Sequence, residues 1–261
     1  MDATPHGIPS PPSSDDILDL CLFAGALVLK NGGETYRAEE TMVRMAMASG
    51  VQEAHGFATP TGVFLSCVTA EGVKTRVQRI AARTVDLSKV AAVNEISRCY
   101  VDGRMTAAEA FRQLKRVETA PFPYGDGLAH LAAGATSASF ALLFGGSWPD
   151  FGPAFAAGLV ANVALKLVER LFAMRFVAEA VAAFFSALTT VLAFAAGWGA
   201  DRDAILIGAL MPFVPGVALT NAVRDVMAGD LVSGLARGAE AALTALAVAA
   251  GVALLLGLVA E

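Results

Sequence analysis

The chain has 261 residues, a formal net charge of −5 and 56% hydrophobic content, with no basic excess to hold nucleic acid. Of its 43 Asp, Glu, Lys and Arg, 27 fall in residues 1–120 and only 16 in 121–261. The first part therefore reads as a soluble domain and the second as a membrane domain. Cys21, Cys67 and Cys99 all lie in the first part, without a CxxC pair or a histidine at ligand spacing. They read as small core residues in a reducing compartment, not as a disulfide or zinc framework.

Residues 1–14 (MDATPHGIPSPPSS) are rich in Pro and Ser, offer almost nothing to bury and read as a disordered tail. No apolar run near Met1 resembles a secretory signal, so the N-terminus is expected in the cytosol. Asp15 and Asp16 supply N-cap chemistry for a first helix, which Asn31-Gly32-Gly33 ends by accepting left-handed backbone. A second helix, over 33–49, sets Glu40 and Arg44 four apart in the favourable order. It also puts Glu34, Arg37 and Glu40 on a common face, whose default use is solvation.

From Val51 the β-branched and aromatic content rises around Thr59-Pro60-Thr61-Gly62, which predicts two short strands about a turn. That turn's hydroxyls could hold a ligand, although a structural turn is the commoner use. A third strand is expected within 73–83, then helices over about 86–100 and from the Thr106–Glu109 capping box to about Val117. Residues 15–120 thus form a cytosolic α+β domain, joined to the rest by a linker over 121–126 around Pro121 and Pro123.

Five transmembrane helices are expected in the all-α remainder, 127–261, at about 127–148, 151–170, 176–200, 204–223 and 237–260. The second has the shortest uncharged run, reaching membrane length only if Lys166 and Arg170 snorkel. Eight Lys and Arg lie on alternate flanks against Arg202 on the others, which places the N-terminus inside and the C-terminus outside.

The fourth run contains Pro212, Pro215 and Gly216. Each proline lacks a backbone N–H, so the Gly208 and Met211 carbonyls lose their helical donors. Within hydrocarbon, broken backbone is tolerated where protein or a watery cavity covers it, and transporters present such breaks to substrate. A plain kink relieved by Thr220, Ser186 or neighbouring helices is the simpler alternative. Asn221 and Asp225 follow on this run, and Asn162 on the second run is expected to face another helix or a cavity. Arg224, Arg237 and Glu240 are candidate gate residues, with an Asp225–Arg237 contact closing the inner mouth or merely anchoring the topology. Gly234 and Gly238 form a GxxxG suited to close helix packing. No phosphate loop, nucleophile–base pair or metal-ligand cluster emerges, so neither an enzyme nor a cofactor is expected.

Several separated stretches occur together in order: AGALVLKNGGETYRAEETMVRMA, TPTGVFLS, VNEISR, PFVPG and the downstream Asp225–Asp230. In these the chain resembles the threonine/serine exporter family over residues 17–258. The resemblance implies a subunit of a secondary exporter of small polar metabolites in a bacterial inner (plasma) membrane. Some members are fused chains of about ten spans and others are split. This sequence resembles the first half, which implies a smaller multi-span membrane subunit resembling the second, with a similar Pro-Leu-Val-Pro-Gly motif. The broken helices of the two halves, inverted relative to each other, would meet around one substrate. Fused members are associated with threonine and serine, and split members are similar to the succinate exporter, so an amino acid and a dicarboxylate both stand as substrates. Coupling to the proton-motive force is the accompanying expectation, with no proton carrier named. The competing classes are a membrane-tethered metabolite sensor without transport and a homo-oligomeric channel.

Overall fold

A computed structural model describes residues 13–172 and 174–260. The expected tail falls almost wholly on 1–12, outside the described residues. Ser13 and Ser14 already belong to the first helix, α1 (Ser14–Lys30). Ser13, not Asp15 or Asp16, is its N-cap: the Asp16 N–H donates to Ser13 Oγ while the Asp16 carboxylate accepts from the Ser13 N–H, closing a capping box.

Two compact units are present, one of residues up to Pro121 with Val217–Gly238, the other Phe122–Gly216 with Ala239–Glu261. In the first, α1 is apolar on every side and correspondingly buried on every side from Leu20 to Leu29. Around it lie α2 (Thr35–Ala48), α3 (Leu87–Val101), α4 (Ala107–Thr119) and an antiparallel meander of β1 (Glu53–Thr59), β2 (Gly62–Thr69) and β3 (Gly72–Arg79). Strand β2 sends Val63, Leu65 and Cys67 into the core, the period of two that a half-buried strand requires. Thr59 pairs with Gly62 across a two-residue turn.

The other unit holds α5 (Asp126–Leu143), α6 (Trp148–Phe172), α7 (Arg175–Ala195) and α8 (Arg202–Leu210). A 3-10 turn at Met211–Phe213 leads to α9 (Gly216–Ala228), and α10 (Leu231–Ala260) closes the chain. Both α9 and the first turns of α10 are counted with the sheet-bearing unit.

The expected fold, an α+β domain followed by an all-α membrane domain of five transmembrane helices, is corrected on two points. Among the described residues three helices, α6, α7 and α10, are long and apolar enough to cross a membrane. A fourth is reached only by joining Arg202–Phe213 to Gly216–Ala228 across a 57° bend. The helix that drops out is the first expected span. Its uncharged run continues to Trp148, but the helix stops at Leu143, where Gly145 takes φ +97° and the Gly146 N–H bonds back to the Ala141 carbonyl. Eighteen residues rise about 27 Å, short of a hydrocarbon core of about 30 Å. Asp126, His130, Thr136, Ser137 and Ser139 dilute its apolarity further. The outside C-terminus derived from five crossings goes with that count. The second point is order along the chain: the sheet-bearing unit recruits α9 and the start of α10, so the two units do not simply follow one another.

Candidate functional site

Helix α1 ends where Gly32 takes φ +89°, and a Cβ on Gly33 would lie 2.5 Å from Val28 Cγ1 and 2.9 Å from the Val28 carbonyl. The Asn31-Gly32-Gly33 turn is therefore fixed by backbone geometry, and it delivers two carbonyls and the first N–H of α2 to the α9–α10 corner. The Asn221 amide donates to the Gly32 carbonyl at 2.9 Å, and Arg237 Nη2 donates to that of Gly33 at 2.8 Å.

Thr35 opens α2. Its N–H donates to Asp225 Oδ1 at 3.1 Å and its hydroxyl to Asp225 Oδ2 at 3.0 Å. Glu34, at the N-cap position, makes no side-chain cap bond, so Asp225 supplies the cap from 190 residues away. A helix N-terminus has unpaired N–H groups and a partial positive charge, both of which favour this carboxylate. Asp225 is fully buried, and Arg237 Nε lies 3.0 Å from its Oδ2 with both side chains inside. Around this pair, Arg224 Nη1 donates to Glu34 Oε1 at 2.6 Å, and Arg37 stands 3.4 Å from the other Glu34 oxygen.

The corner is held tightly. Gly229 takes φ +96° and the Asp230 N–H bonds to the Asp225 carbonyl at 2.8 Å. A Cβ on Gly234 would meet Val226 Cγ2 at 2.4 Å, whereas one on Gly238 would meet only Ala222 at 3.9 Å. Close packing therefore falls on the first glycine of the GxxxG. A third tie runs through β1: the Ala58 N–H donates to Glu39 Oε1 at 2.7 Å, and Ser233 Oγ donates to the Ala58 carbonyl at 3.4 Å.

Three carboxyls in this region are displaced from their ordinary values. Burial pushes Glu34 up, but its own backbone N–H and the Arg37 and Arg224 guanidiniums outweigh it and hold the group low. Burial raises Glu39 against the Ala58 N–H, reinforced by the charges of Asp230 and Asp225. Asp230 is raised by burial and by Asp225. Chemically the network is a set of buried ion pairs and charge-assisted hydrogen bonds, suited to holding two segments together.

At the proline break the carbonyls expected to be orphaned have found new donors. That of Gly208 accepts from the Met211 N–H and that of Met211 from the Val214 N–H at 3.1 Å, the tighter pattern of a 3-10 turn. Ser137 of the neighbouring α5 donates to the Ala209 carbonyl at 3.4 Å, where the sequence allowed neighbouring helices, Thr220 or Ser186. Pro212 and Pro215 occupy the break, and a Cβ on Gly216 would meet nothing within 4 Å. Asn162 is half-buried, its Oδ1 2.7 Å from Nδ1 of His130 on α5. Below that pair, Asp126 binds Lys166 at 2.8 Å and Arg170 at 2.5 Å.

Of the residues singled out in sequence, Asn221, Arg224, Asp225, Arg237, Glu34 and Arg37 thus converge on one network. Glu240 pairs with Arg175 of α7. Glu40 pairs with Arg44 at 3.3 Å on an exposed face. At the 59–62 turn, Thr59 Oγ1 donates to the Gly62 carbonyl at 3.2 Å and lies 3.3 Å from the Thr61 hydroxyl, with Pro60 between them. The sequence reading missed Thr35, Ser137, His130 and Asp150. Asp150 is fully buried and accepts from the Ser147 N–H and hydroxyl and from the Ala200 and Asp201 N–H groups. Ser147-x-x-Asp150 ahead of an apolar run has capping-box spacing, so that one carried a signal.

Residues 19–259 match the family model ThrE, described as "Putative threonine/serine exporter". A "Probable threonine/serine exporter" of Mycobacterium tuberculosis is 22% identical over 86% of this chain and 43% of its own length. "Probable succinate transporter subunit YjjP" of Klebsiella aerogenes is 24% identical over 89% of this chain and 90% of its own. The protein of the same name in Escherichia coli (strain K12) is 24% identical over 91% and 92%. This chain thus spans less than half the length of the first relative and nearly all of the other two. No solved structure matches.

Proposed function

Since the chain belongs to the threonine/serine exporter family, we propose that it is one subunit of a two-chain exporter of a small polar metabolite. It is a multi-pass membrane protein, with three or four apolar helices able to cross. The substrate is threonine or serine, or a dicarboxylate such as succinate. The partner is a smaller membrane subunit resembling the family's second half, and the sheet-bearing unit faces the cytosol of a bacterial cell.

One observation carries this reading: an apolar helix is interrupted at Pro212–Gly216, and the half that follows is pinned at Asp225 to the start of α2. Broken helices of this kind present backbone dipoles to substrate inside a membrane. Pro212, Pro215, Gly216 and Asn162 line the substrate path in this account. Asn221, Arg224, Asp225 and Arg237 set the position of α9, so that movement of the sheet-bearing unit alters the break. Glu240, more than two turns into the last helix, ties that helix to α7 through Arg175. The names and lengths of the two succinate transporter subunits support a split arrangement.

The test is efflux from cells preloaded with labelled threonine or labelled succinate, making this chain with and without the candidate second subunit. Efflux of either compound only when both chains are present is the expected result. Efflux from this chain alone would indicate a homo-oligomeric channel. Absence of efflux with both proteins in the membrane would favour a sensor.

A further inference from the structure

The outer face of α2, whose Arg37 also reaches Glu34, packs beside the Asn94–Arg98 segment of α3. The two converge on a cavity of about 280 Å³ in the sheet-bearing unit. Helix α2 contributes Tyr36, Arg37, Glu40 and Arg44, and helix α3 contributes Asn94 and Arg98. Spacings of three, four and seven bring each set onto one helical face. Three guanidiniums and one carboxylate leave the lining positive.

Those charges are unequally satisfied. Arg44 pairs with Glu40 and Arg37 with Glu34, but Arg98 makes no ion pair among the described residues. The Asn94 side chain and the Tyr36 hydroxyl likewise have no hydrogen bond among the described residues. The Ser97 and Thr41 hydroxyls donate to their own helices, at the Asn94 and Arg37 carbonyls. The donors left facing the cavity are thus guanidinium, carboxamide and phenol. An exposed charged face without function would place its arginines against carboxylates or on a convex surface, and Arg98 does neither.

We propose that this cavity binds a small anion carrying at least two anionic oxygens, a dicarboxylate or a phosphate. Guanidinium forks match such oxygens in pairs, which a single ammonium does not. The volume lies at the small end of ligand pockets, about 300–1,000 Å³, and so suits a compact metabolite. This site is separate from the substrate path proposed above and does not depend on it. It gives the sheet-bearing unit a ligand of its own.

The experiment is isothermal titration of the purified full chain in detergent, with succinate and with inorganic phosphate as the two probes. Wild type, Arg98→Gln, Arg44→Gln and the double variant Pro212→Ala/Pro215→Ala are compared. At least one probe should bind wild type, with Kd weakened about tenfold or more in each arginine variant. The proline variant should bind as wild type does, which keeps this result apart from the fate of the transport reading. Succinate alone binding would identify a carboxylate site, and phosphate alone a phosphate site. Failure of both probes to bind wild type would overturn the proposal. So would binding that the arginine changes leave within twofold. Arg44 and Arg98 are both exposed, so neither change disturbs the core.

Discussion

Around α1 the buried side chains are large, among them Leu18, Leu20, Leu27, Met42, Met45, Leu65 and Leu114. In the α5–α8 unit they are mostly alanine: Ala138, Ala141, Ala154, Ala157, Ala161, Ala182 and Ala187 are all fully buried. Glycines there sit against neighbouring backbone. A Cβ on Gly208 would lie 2.5 Å from the Ala141 nitrogen, and one on Gly251 would lie 2.1 Å from the Ala180 carbonyl. In water, burying large apolar groups is the driving force, so a soluble core gains from bulk. Lipid tails are as apolar as leucine, so membrane helices gain instead from close approach, which small residues permit. Large apolar side chains of that unit, such as Leu143, Leu167, Leu171 and Leu192, are correspondingly exposed. The two regions therefore obey different rules of packing, and substitutions should separate them.

The largest effect is expected where charge is buried. Asp225→Ala removes the buried carboxylate that caps α2 and pairs with Arg237, and should cost about 3–5 kcal/mol. Thermal unfolding in detergent checks this, and a loss no greater than that of an exposed substitution would remove the latch. Next comes size. Leu27→Ala should cost about 2–5 kcal/mol by the same measurement, because the core around α1 depends on volume. Gly208→Ala should cost about 1–3 kcal/mol by forcing α8 away from the Ala141 backbone, so that here one added carbon does the damage. If Gly208→Ala were silent, the close-approach rule for this unit would fail.

The smallest effect is in the pH profile. Glu34 has its folded pKa held below the unfolded value, so its contribution is present above pH about 4.5 and is lost as pH falls through the folded value. Glu34→Gln should therefore cost about 1 kcal/mol or less at neutral pH and nothing in acid. Glu39 is shifted upward, so wild type loses stability as pH rises from 4.5 through the raised folded value. Glu39→Gln should stabilise at neutral pH and have no effect in acid. Melting curves of the two variants across pH should thus diverge in opposite directions.

Local signals in the sequence were readable. The Thr59–Gly62 hairpin, the Asp86 and Thr106 caps and the Asn31-Gly32-Gly33 stop all depend on residues within a few positions of one another, and each element forms where its chemistry puts it. The proline break was legible for the same reason, because a missing N–H is a property of one residue. What composition could not give was length: an uncharged run to Trp148 looks like a span, while Gly145 and Gly146 end the helix inside it. Nor could it give partners. The sequence offered an Asp225–Arg237 contact, but Thr35 became the partner of Asp225, and the Gly32 and Gly33 carbonyls those of Asn221 and Arg237, through tertiary folding alone. His130 carried no local signal, because its partner, Asn162, is on another helix.

Two-chain efflux with Asp225→Asn set beside Arg202→Gln, each normalised to its amount in the membrane, decides whether the pinning of α9 serves transport. Asp225→Asn preserves shape but removes the charge that caps α2 and faces Arg237, whereas Arg202 lies at the far end of α8. The account predicts that efflux falls about tenfold or more with Asp225→Asn and stays near wild type with Arg202→Gln. Equal efflux from the two variants, both folded and inserted, would contradict it.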